Sequence, residues 1–448
     1  MSSSKSILAV TLVVTSLLIA CSDQKSTATP AKNMAAPENK LTKKSAAETV
    51  ALLRKAAVQG DADAQFKLAM MYAKTVALLR KAAVQGEADA QFKLAMMYAQ
   101  GHGVPKDDVA AVGWYRKAAV QGDARAQTGL GYAYSFGNGV PTDAVQAASW
   151  FRKAAVQGDA GAQSNLGLMY EDGSGVPKDV VQALAWYQKA AVQGNAPSQF
   201  RLGLAYSNGN GVPKDLAQAA AWYRKAAEQG YIDAQVSLGF AYSNGNGVPK
   251  DLAQAVAWFR KAAEQGDADA QFNLGVAYGN GYGVPEDAVQ AVAWYRKAAE
   301  QGHVGAQFNL GVAYGKGNGV PTDDVQAVAW FRKAAVQGNA EAQKIIGRAY
   351  YNGDGVPKDS VQAAAWFRKA AEQGDADAQY MLGMLYEEGK GVPLSSIQAY
   401  MWLNLAAAQG QELASTYRES IASTHMSREQ IAEAQRLSRE WKSNHPTE

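Results

Sequence analysis

A spacing of 36 residues runs through most of this chain. Prolines recur at that step nine times, from Pro105 to Pro393, and tryptophans recur nine times, from Trp114 to Trp402. No insertion interrupts either series. Self-similarity at a fixed period of this length is the signature of a repeat array, in which each unit buries its apolar face against its neighbours. The sequence therefore predicts a solenoid and not a multi-domain enzyme.

Within one unit, Asp267–Gly302, apolar side chains have helical spacing in two separate stretches. The first stretch carries Ala270, Leu274, Ala277 and Tyr278, and the second carries Ala291, Trp294, Ala298 and Ala299, flanked by Tyr295. Asp267 and Asp287 precede the two stretches, where a side-chain oxygen caps a helix. Asp287 and Gln290 also have the spacing of a capping box. Each unit is therefore predicted to be a helical hairpin.

Glycines add two local predictions. Gly275 lies inside the first helical stretch, where glycine costs about 1 kcal/mol relative to alanine, so we expect a neighbouring helix to pack closely against it. Gly279 and Gly281 are expected to end that helix. The prediction for the whole chain is an all-α solenoid of αα-hairpins, with nine 36-residue units, an atypical N-terminal unit and a C-terminal capping helix.

The loop between the two helices resembles a phosphate-binding loop only superficially. The sequence YSNGNGVPKDLAQA occurs at Tyr206–Ala219 and at Tyr242–Ala255. A phosphate loop follows a strand and has Ser or Thr after its lysine, whereas here a helix precedes the loop and Asp215 follows Lys214. Other units have Thr, Glu or Leu in place of the lysine. The sequence predicts no nucleotide, no other cofactor and no metal.

The N-terminus has the features of a targeting segment. Lys5 precedes an apolar run, Ile7–Ala20, that is short for a membrane span. The run ends in Leu18-Ile19-Ala20-Cys21, which contains the only cysteine of the chain and resembles the lipobox of bacterial lipoproteins. The resemblance implies that residues 1–20 are a signal peptide and that Cys21 is lipidated. An ordinary secretory signal with an incidental cysteine is the alternative.

The residues after Cys21 give a prediction for the location of the protein in the cell. Lipoproteins kept at the inner membrane typically carry Asp directly after the cysteine, whereas this chain has Ser22. The resemblance therefore implies an outer-membrane lipoprotein that faces the periplasm, with surface exposure left open. Residues 21–45 are polar and contain Pro30 and Pro37, so we expect a lipidated cysteine followed by a flexible tether.

Residues 46–100 depart from the 36-residue period. Thr49–Lys74 and Thr75–Gln100 are near-duplicates with a period of 26, and the ten missing residues are those of the Gly-Val-Pro loop. Because nothing in the joining segment breaks a helix, we predict one continuous helix over Ala62–Gln85, with a strained turn at Lys74-Thr75 as the alternative. The first copy has no unit outside it and is expected to have the fewest packing partners.

The regular units are assigned to residues 88–410 and a cap to residues 411–448. A capped array needs an atypical, partly polar terminal segment. Ser427 and Gln430 have the spacing of a capping box, and the helix that follows places Ile431, Ala434, Leu437 and Trp441 on one side. This segment is predicted to close the solenoid.

The unit sequence resembles the Sel-1-like repeat family, which is related to the tetratricopeptide repeats. The resemblance covers about Ala64 to Gly410 and rests on three motifs: Ala-Gln-x-x-Leu-Gly-x-x-Tyr, Gly-x-Gly-Val-Pro-x-Asp, and Ala-x-x-Trp-Tyr/Phe-Arg-Lys-Ala-Ala. It implies a right-handed αα-superhelix that serves as an adaptor for protein complexes. Bacterial members have roles in the envelope, in signalling and in host contact.

Candidate binding residues are those that vary between units. If the first helices line the concave face, as in tetratricopeptide proteins, the positions two before and two after the central leucine of each first helix point inward. These are Phe200, Val236, Phe272 and Phe308, and Tyr132, Leu168, Leu204, Phe240, Val276 and Val312, with Asn208, Asn244 and Asn280 on a polar rim. The alternative is that the apolar residues only pack against the adjacent first helix.

Net charge and the spacing of reactive side chains argue against some classes of function. The net charge of +3 and the acidic residues between the Arg-Lys pairs argue against a nucleic-acid partner. No set of side chains has the spacing of a catalytic site, so we predict no enzyme. The favoured function is a membrane-tethered scaffold for a protein or peptide partner. A surface-displayed adhesion or host-interaction factor is the alternative, and an envelope enzyme is the least favoured.

Overall fold

The computed structural model describes residues 50–445, and the regular secondary structure in that range is helical. The predictions for the signal peptide, Cys21 and the tether lie outside the described residues. Residues 50–58 are helical, and α1 is Ala62–Val84. Eighteen helices then form nine consecutive pairs, followed by α20 (Glu412–His425) and α21 (Arg428–Asn444). The predicted all-α repeat solenoid is confirmed.

Each pair consists of a first and a second helix. The first helices are α2 (Ala88–Gln100), α4 (Ala124–Phe136), α6 (Ala160–Asp172), α8 (Ala196–Asn208), α10 (Ile232–Asn244), α12 (Ala268–Asn280), α14 (Val304–Lys316), α16 (Ala340–Asn352) and α18 (Ala376–Glu388). The second helices are α3 (Asp108–Val120), α5 (Ala144–Val156), α7 (Val180–Val192), α9 (Leu216–Glu228), α11 (Leu252–Glu264), α13 (Ala288–Glu300), α15 (Asp324–Val336), α17 (Ser360–Glu372) and α19 (Ser396–Ala407). Every first helix packs against its own second helix and against that of the preceding unit.

The N-caps at Asp267 and Asp287 form as the sequence predicts, but the capping box of Asp287 and Gln290 does not, because the Asp287 N–H donates to the Tyr278 carbonyl. The Asp267 carboxylate accepts a hydrogen bond from the backbone N–H of Ala270, and Asp287 accepts one from Gln290. The prediction that Gly279 also ends the first helix is wrong. The helix α12 runs to Asn280, and only Gly281, with φ of 68°, takes the left-handed conformation that terminates it.

Contact between a glycine and an aromatic ring sets the distance between the two helices of a unit. A Cβ atom on Gly275 would lie 2.6 Å from ring atoms of Tyr295, and equivalent contacts join Gly239 to Phe259 and Gly311 to Phe331. The predicted close approach at Gly275 is confirmed. The helix that makes it is the second helix of the same unit.

The ring that fills this space does not belong to the tryptophan that recurs every 36 residues. Tyr295 is buried and Trp294 is only half-buried, which reverses the predicted roles of the two residues. The two side chains point in different directions. Tyr295 points at its own first helix, whereas Trp294 packs against the core cluster formed between α11 and α12, which includes Val256 and Leu274. Lys297 lies over the outer face of Trp294, with Nζ 4.0 Å from the ring centroid.

A ladder of buried glutamines links successive units. The amide of Gln271 donates to the carbonyl of Ala263 in the preceding second helix, at 3.1 Å. Its own carbonyl oxygen accepts from the amide of Gln301 at the end of α13, at 2.8 Å. The pair recurs in every unit from Gln91 to Gln379. A buried amide must be hydrogen-bonded on both sides, so the ladder fixes the register of one unit on the next.

Both ends of the array depart from the regular units. The helix α1 is continuous, which confirms the prediction for Ala62–Gln85, and Gln85 is its C-cap. At the other end, the capping box of Ser427 and Gln430 is present. Trp441 of α21 meets Trp402 of α19 with ring centroids 6.1 Å apart.

We expect two glycines of the same helix to respond oppositely to alanine. Gly275→Ala should lower the thermal midpoint, because overpacking against Tyr295 costs about 1–3 kcal/mol and exceeds the gain in helix propensity. Gly279→Ala should raise it, since the nearest atoms to its Cβ would be at 3.5 Å and the helix gains about 1 kcal/mol. Circular dichroism melting of both variants checks this, and equal shifts in one direction would contradict it.

Candidate functional site

The candidate site is the side of the first helices that carries the residues two before and two after the central leucine. We call this side the first-helix face. The leucines themselves are buried, as at Leu238 and Leu274. The predicted residues occupy six successive first helices, α4 to α14. Asn208, Asn244 and Asn280 are exposed and are the last residues of α8, α10 and α12.

The residues two before the leucine are half-buried, and the phenylalanines among them contact aromatic rings of the adjoining helices. Phe272 lies 6.0 Å from Tyr295 of the facing second helix and 4.5 Å from His303, the N-cap of the next first helix, between ring centroids. Phe200 similarly contacts Tyr223 and Tyr231. These side chains therefore join neighbouring units while keeping one side open to solvent.

The residues two after the leucine are more open in the middle of the array. Phe240 is 42% exposed and Leu168 is 36% exposed, large fractions for apolar side chains of this size. Tyr132 is closer to the interior, because its ring meets Phe151 edge-on and its hydroxyl accepts a hydrogen bond from the Asn165 amide. Burial raises the pKa of the Tyr132 phenol.

Phe240 lines a small cavity between two units. The cavity has a volume of about 200 Å³. Its polar lining residues are Ser207, Tyr223, Ser237 and Asn246, and its apolar ones include Leu216 and Ala219. Burial raises the pKa of the Tyr223 phenol, which a hydrogen bond with Ser207 partly opposes. A cavity of this size, with hydroxyl groups and an aromatic rim, can hold one small side chain of a bound chain.

One charged group interrupts the face near its centre. Glu171 on α6 accepts a hydrogen bond from the Tyr187 hydroxyl at 2.5 Å and lies 3.3 Å from the Arg201 guanidinium on α8. Burial, together with the hydrogen bond to Glu171, strongly raises the pKa of Tyr187. This is also the unit in which Gln188 replaces the usual arginine.

A second charged group lies toward the C-terminal end. Lys344 occupies the position held by Phe308 in the preceding unit, and its ammonium lies 2.8 Å from Glu341, 3.1 Å from Asp375 and 3.4 Å from Asp377. Burial opposes the charge on Lys344, but the bonds to Glu341 and Asp375 outweigh it, and the pKa of Lys344 is raised. The face therefore changes from aromatic to ionic between α14 and α16.

The sequence identified the apolar residues of this face and missed its polar ones. The cavity around Phe240 and the carboxylates around Lys344 depend on side chains from different units, which a single-unit pattern does not bring together. A lysine at the position of Phe272 and Phe308 was the available signal for the ionic group. The assignment of the predicted residues to partner binding stays a prediction.

The chemistry of the face suits recognition of another chain. It offers half-open apolar rings, exposed amides at the helix ends and a few fixed charges. Within residues 50–445, no three His, Cys, Asp or Glu side chains converge as a metal site would require. None of the described helices combines the length and apolarity needed to cross a bilayer.

Comparison with known proteins places the repeats in a family. The family model described as Sel1 repeat matches residues 62–74 and then nine segments in succession, from 88–123 to 376–411. No curated protein matches the chain.

Two solved structures are similar over most of their length. One is c5321, a protective antigen present in uropathogenic Escherichia coli strains, at 37% identity with a TM-score of 0.55, covering 88% of this chain and 94% of that one. The other is a Sel1 repeat protein from Oxalobacter formigenes, at 35% identity with a TM-score of 0.54, covering 73% of this chain and 93% of that one.

We expect Lys344→Ala to lower stability by about 1–2 kcal/mol, because three carboxylates then lose a shared charge-assisted partner. Added salt should restore part of the loss by screening their repulsion. Lys344→Arg should stay near the parent, and Lys316→Ala, an exposed residue, serves as the control. Thermal midpoints at low and high salt test this, and a salt-independent loss would contradict the electrostatic explanation.

Proposed function

The chain belongs to the Sel1 repeat family, and from this premise we propose that it is a membrane-tethered scaffold that binds a protein or peptide partner at the bacterial cell envelope. Sel1 repeat proteins generally serve as scaffolds for protein–protein interaction, and their fold is typically non-catalytic. The observation that carries the proposal is the first-helix face. The buried positions repeat almost unchanged from unit to unit, whereas the half-open positions on this face differ.

We infer that the middle of the face, around α6 to α10, receives the partner. Leu168 and Phe240 are the most open of the apolar residues there, and the cavity beside Phe240 offers a place for a side chain. Exposed asparagine amides at the ends of neighbouring first helices, at Asn208 and Asn244, can bond the backbone of an extended segment. A peptide with apolar side chains and a free backbone fits this chemistry.

The tether is the second part of the proposal. The Leu18-Ile19-Ala20-Cys21 segment supports lipidation of Cys21, and Ser22 supports retention at the outer membrane on its periplasmic side. A lipid anchor adds about 0.8 kcal/mol of membrane affinity per buried methylene. An anchored scaffold would concentrate its partner near the membrane surface.

A second candidate is a surface-displayed host-interaction or adhesion factor. It has the same fold and anchor and differs in the side of the outer membrane that Cys21 holds. The similar Escherichia coli protein is a protective antigen, which favours contact with a host. Digestion of intact cells with an added protease separates the two locations. An envelope enzyme remains the least favoured candidate, because the family fold is typically non-catalytic.

The tether is tested by Cys21→Ala in cells fed a fatty-acid probe. The parent chain should carry the probe and sediment with membranes, whereas the variant should carry no probe. Ser22→Ala, next to the proposed lipidation site, is the matched control and should stay labelled. Equal labelling of the parent and Cys21→Ala would rule out lipidation at this residue.

Partner binding is tested by a photo-crosslinking residue in place of Leu204, which lies on the first-helix face between Leu168 and Phe240. We expect it to capture a defined envelope protein, and Phe240→Asp in the same chain should abolish the capture. Val289→Asp, at an apolar position on a second helix that is 64% exposed, should leave capture intact. Capture that survives Phe240→Asp would show that this face is not the binding surface.

A further inference from the structure

The two near-identical copies at the N-terminus have opposite environments. The sequence Ala-Asp-Ala-Gln-Phe-Lys-Leu-Ala-Met-Met-Tyr-Ala occurs at residues 62–73 and again at 88–99. Phe92 in the second copy is 2% exposed, since its ring packs against Tyr115 and lies 4.4 Å from the Arg125 guanidinium. Phe66, its counterpart, is 65% exposed. A phenyl group that is buried in the second copy, and half-buried at Phe200, Phe272 and Phe308, is thus left open in the first copy.

The cause is the missing loop. In a regular unit the Gly-Val-Pro loop folds the chain back, so that a second helix covers the first. The helix α1 instead continues straight from the first-helix sequence into the second-helix sequence. Its C-terminal half takes the place of a second helix and packs on α2. Its N-terminal half extends beyond the array without a second helix of its own unit.

The open side of α1 is both apolar and basic. Five apolar residues follow one another at spacings of three, four and seven, which places them on one side of a helix. They are Phe66, Met70, Ala73, Ala77 and Val84. Phe66, Met70 and Val84 are 65%, 58% and 72% exposed. Three exposed lysines at intervals of seven flank this stripe along one edge, at Lys67, Lys74 and Lys81. Lys67 also forms an ion pair with Asp63, four residues before it, at 2.5 Å. We call this side of α1 the basic-apolar stripe.

We propose that the basic-apolar stripe docks on an anionic phospholipid surface, with α1 lying in the plane of the membrane interface. An apolar stripe edged by lysines is the pattern of interfacial helices, because the lysine stems follow the apolar surface while their ammonium groups reach the headgroups. The helix has 23 residues and is about 34 Å long, enough to present all of these side chains at once.

Charge and chain connection favour a bilayer over a second copy of the chain. Two antiparallel α1 helices would bring Lys67, Lys74 and Lys81 of one copy against the same lysines of the other, which repel. Lipid phosphates complement Lys74 and Lys81, which make no ion pair among the described residues, whereas Lys67 is paired with Asp63. This inference rests on the proposed tether: residues 22–49 join Cys21 to this end of the chain, and a flexible segment of that length reaches about 30 Å. Anchoring then makes docking of α1 an intramolecular step with a high effective concentration.

The test places an environment-sensitive dye at Met70→Cys in the purified full chain, reconstituted into vesicles. In phosphatidylglycerol-containing vesicles we expect a blue-shifted emission and quenching by spin-labelled lipid, and in phosphatidylcholine vesicles a much smaller shift. Phe136→Cys is the matched control, because Phe136 is 61% exposed on a first helix away from the stripe. Its dye should not respond to lipid.

Charge variants test the role of the lysines. Lys74→Glu with Lys81→Glu should remove the lipid-dependent shift of the Met70 dye, whereas Lys178→Glu with Lys214→Glu, two exposed loop lysines, should retain it. A dye that ignores every lipid overturns the proposal. A blue shift that appears without vesicles also overturns it. A shift that grows with protein concentration would indicate that a second copy of the chain covers the stripe, and one that does not would indicate that the chain's own N-terminal residues cover it.

The proposed tether and the proposed docking fail in different ways. If mass spectrometry locates the dye on Cys21 as well, the Cys21 thiol is free and not lipidated. That result would overturn the proposed tether. The emission of the Met70 dye with anionic vesicles reports docking in either case, because the vesicles can be added to chain that is not anchored in them.

Discussion

Contact between a helix glycine and the ring of the facing second helix is the constraint on which this array depends. At Gly275 and six equivalent glycines no side chain larger than hydrogen fits beside the ring, so the two helices of these seven units lie at one distance. The first unit has Ala95 at this position, and the last has Leu403 in place of the ring. A hairpin of fixed geometry can be stacked repeatedly only if each junction also has one register. The buried glutamine ladder supplies that register through hydrogen bonds that the interior cannot leave unmade.

These repeated packing requirements restrict the amino acids that the interior of the array can hold, but they restrict those on the first-helix face much less. The alanines, glycines and glutamines of the interior are nearly the same in every unit, whereas the face carries Phe240 in one unit, Leu168 in another and Lys344 in a third. Residues that packing does not specify are free to specify a partner. For this reason the argument for function lies in the differences between units and not in the repeat itself.

The shortened N-terminal unit shows what happens when one element of the repeat is removed. Without its loop the hairpin opens into a single helix, and a sequence that is buried at Phe92 becomes exposed at Phe66. The same side chains then present an apolar surface with lysines at its edge. Deletion of ten residues thus converts a packing element into a candidate membrane-facing one, at the end of the chain where the proposed anchor is attached.

The sequence by itself determined the all-α repeat architecture, the helix caps at Asp267 and Asp287, the close approach at Gly275 and the continuous α1, because each follows from spacing and backbone chemistry within a few residues. Only the tertiary structure decided that Tyr295 and not Trp294 fills the core of its unit and that α12 continues through Gly279. It also decided that Lys344 meets carboxylates of two units, and that Phe66 and Phe92, in identical sequences, differ in burial. Most of these outcomes depend on which neighbouring helix a side chain meets. The local pattern can show that a close neighbour is needed, as at Gly275, but does not identify that neighbour.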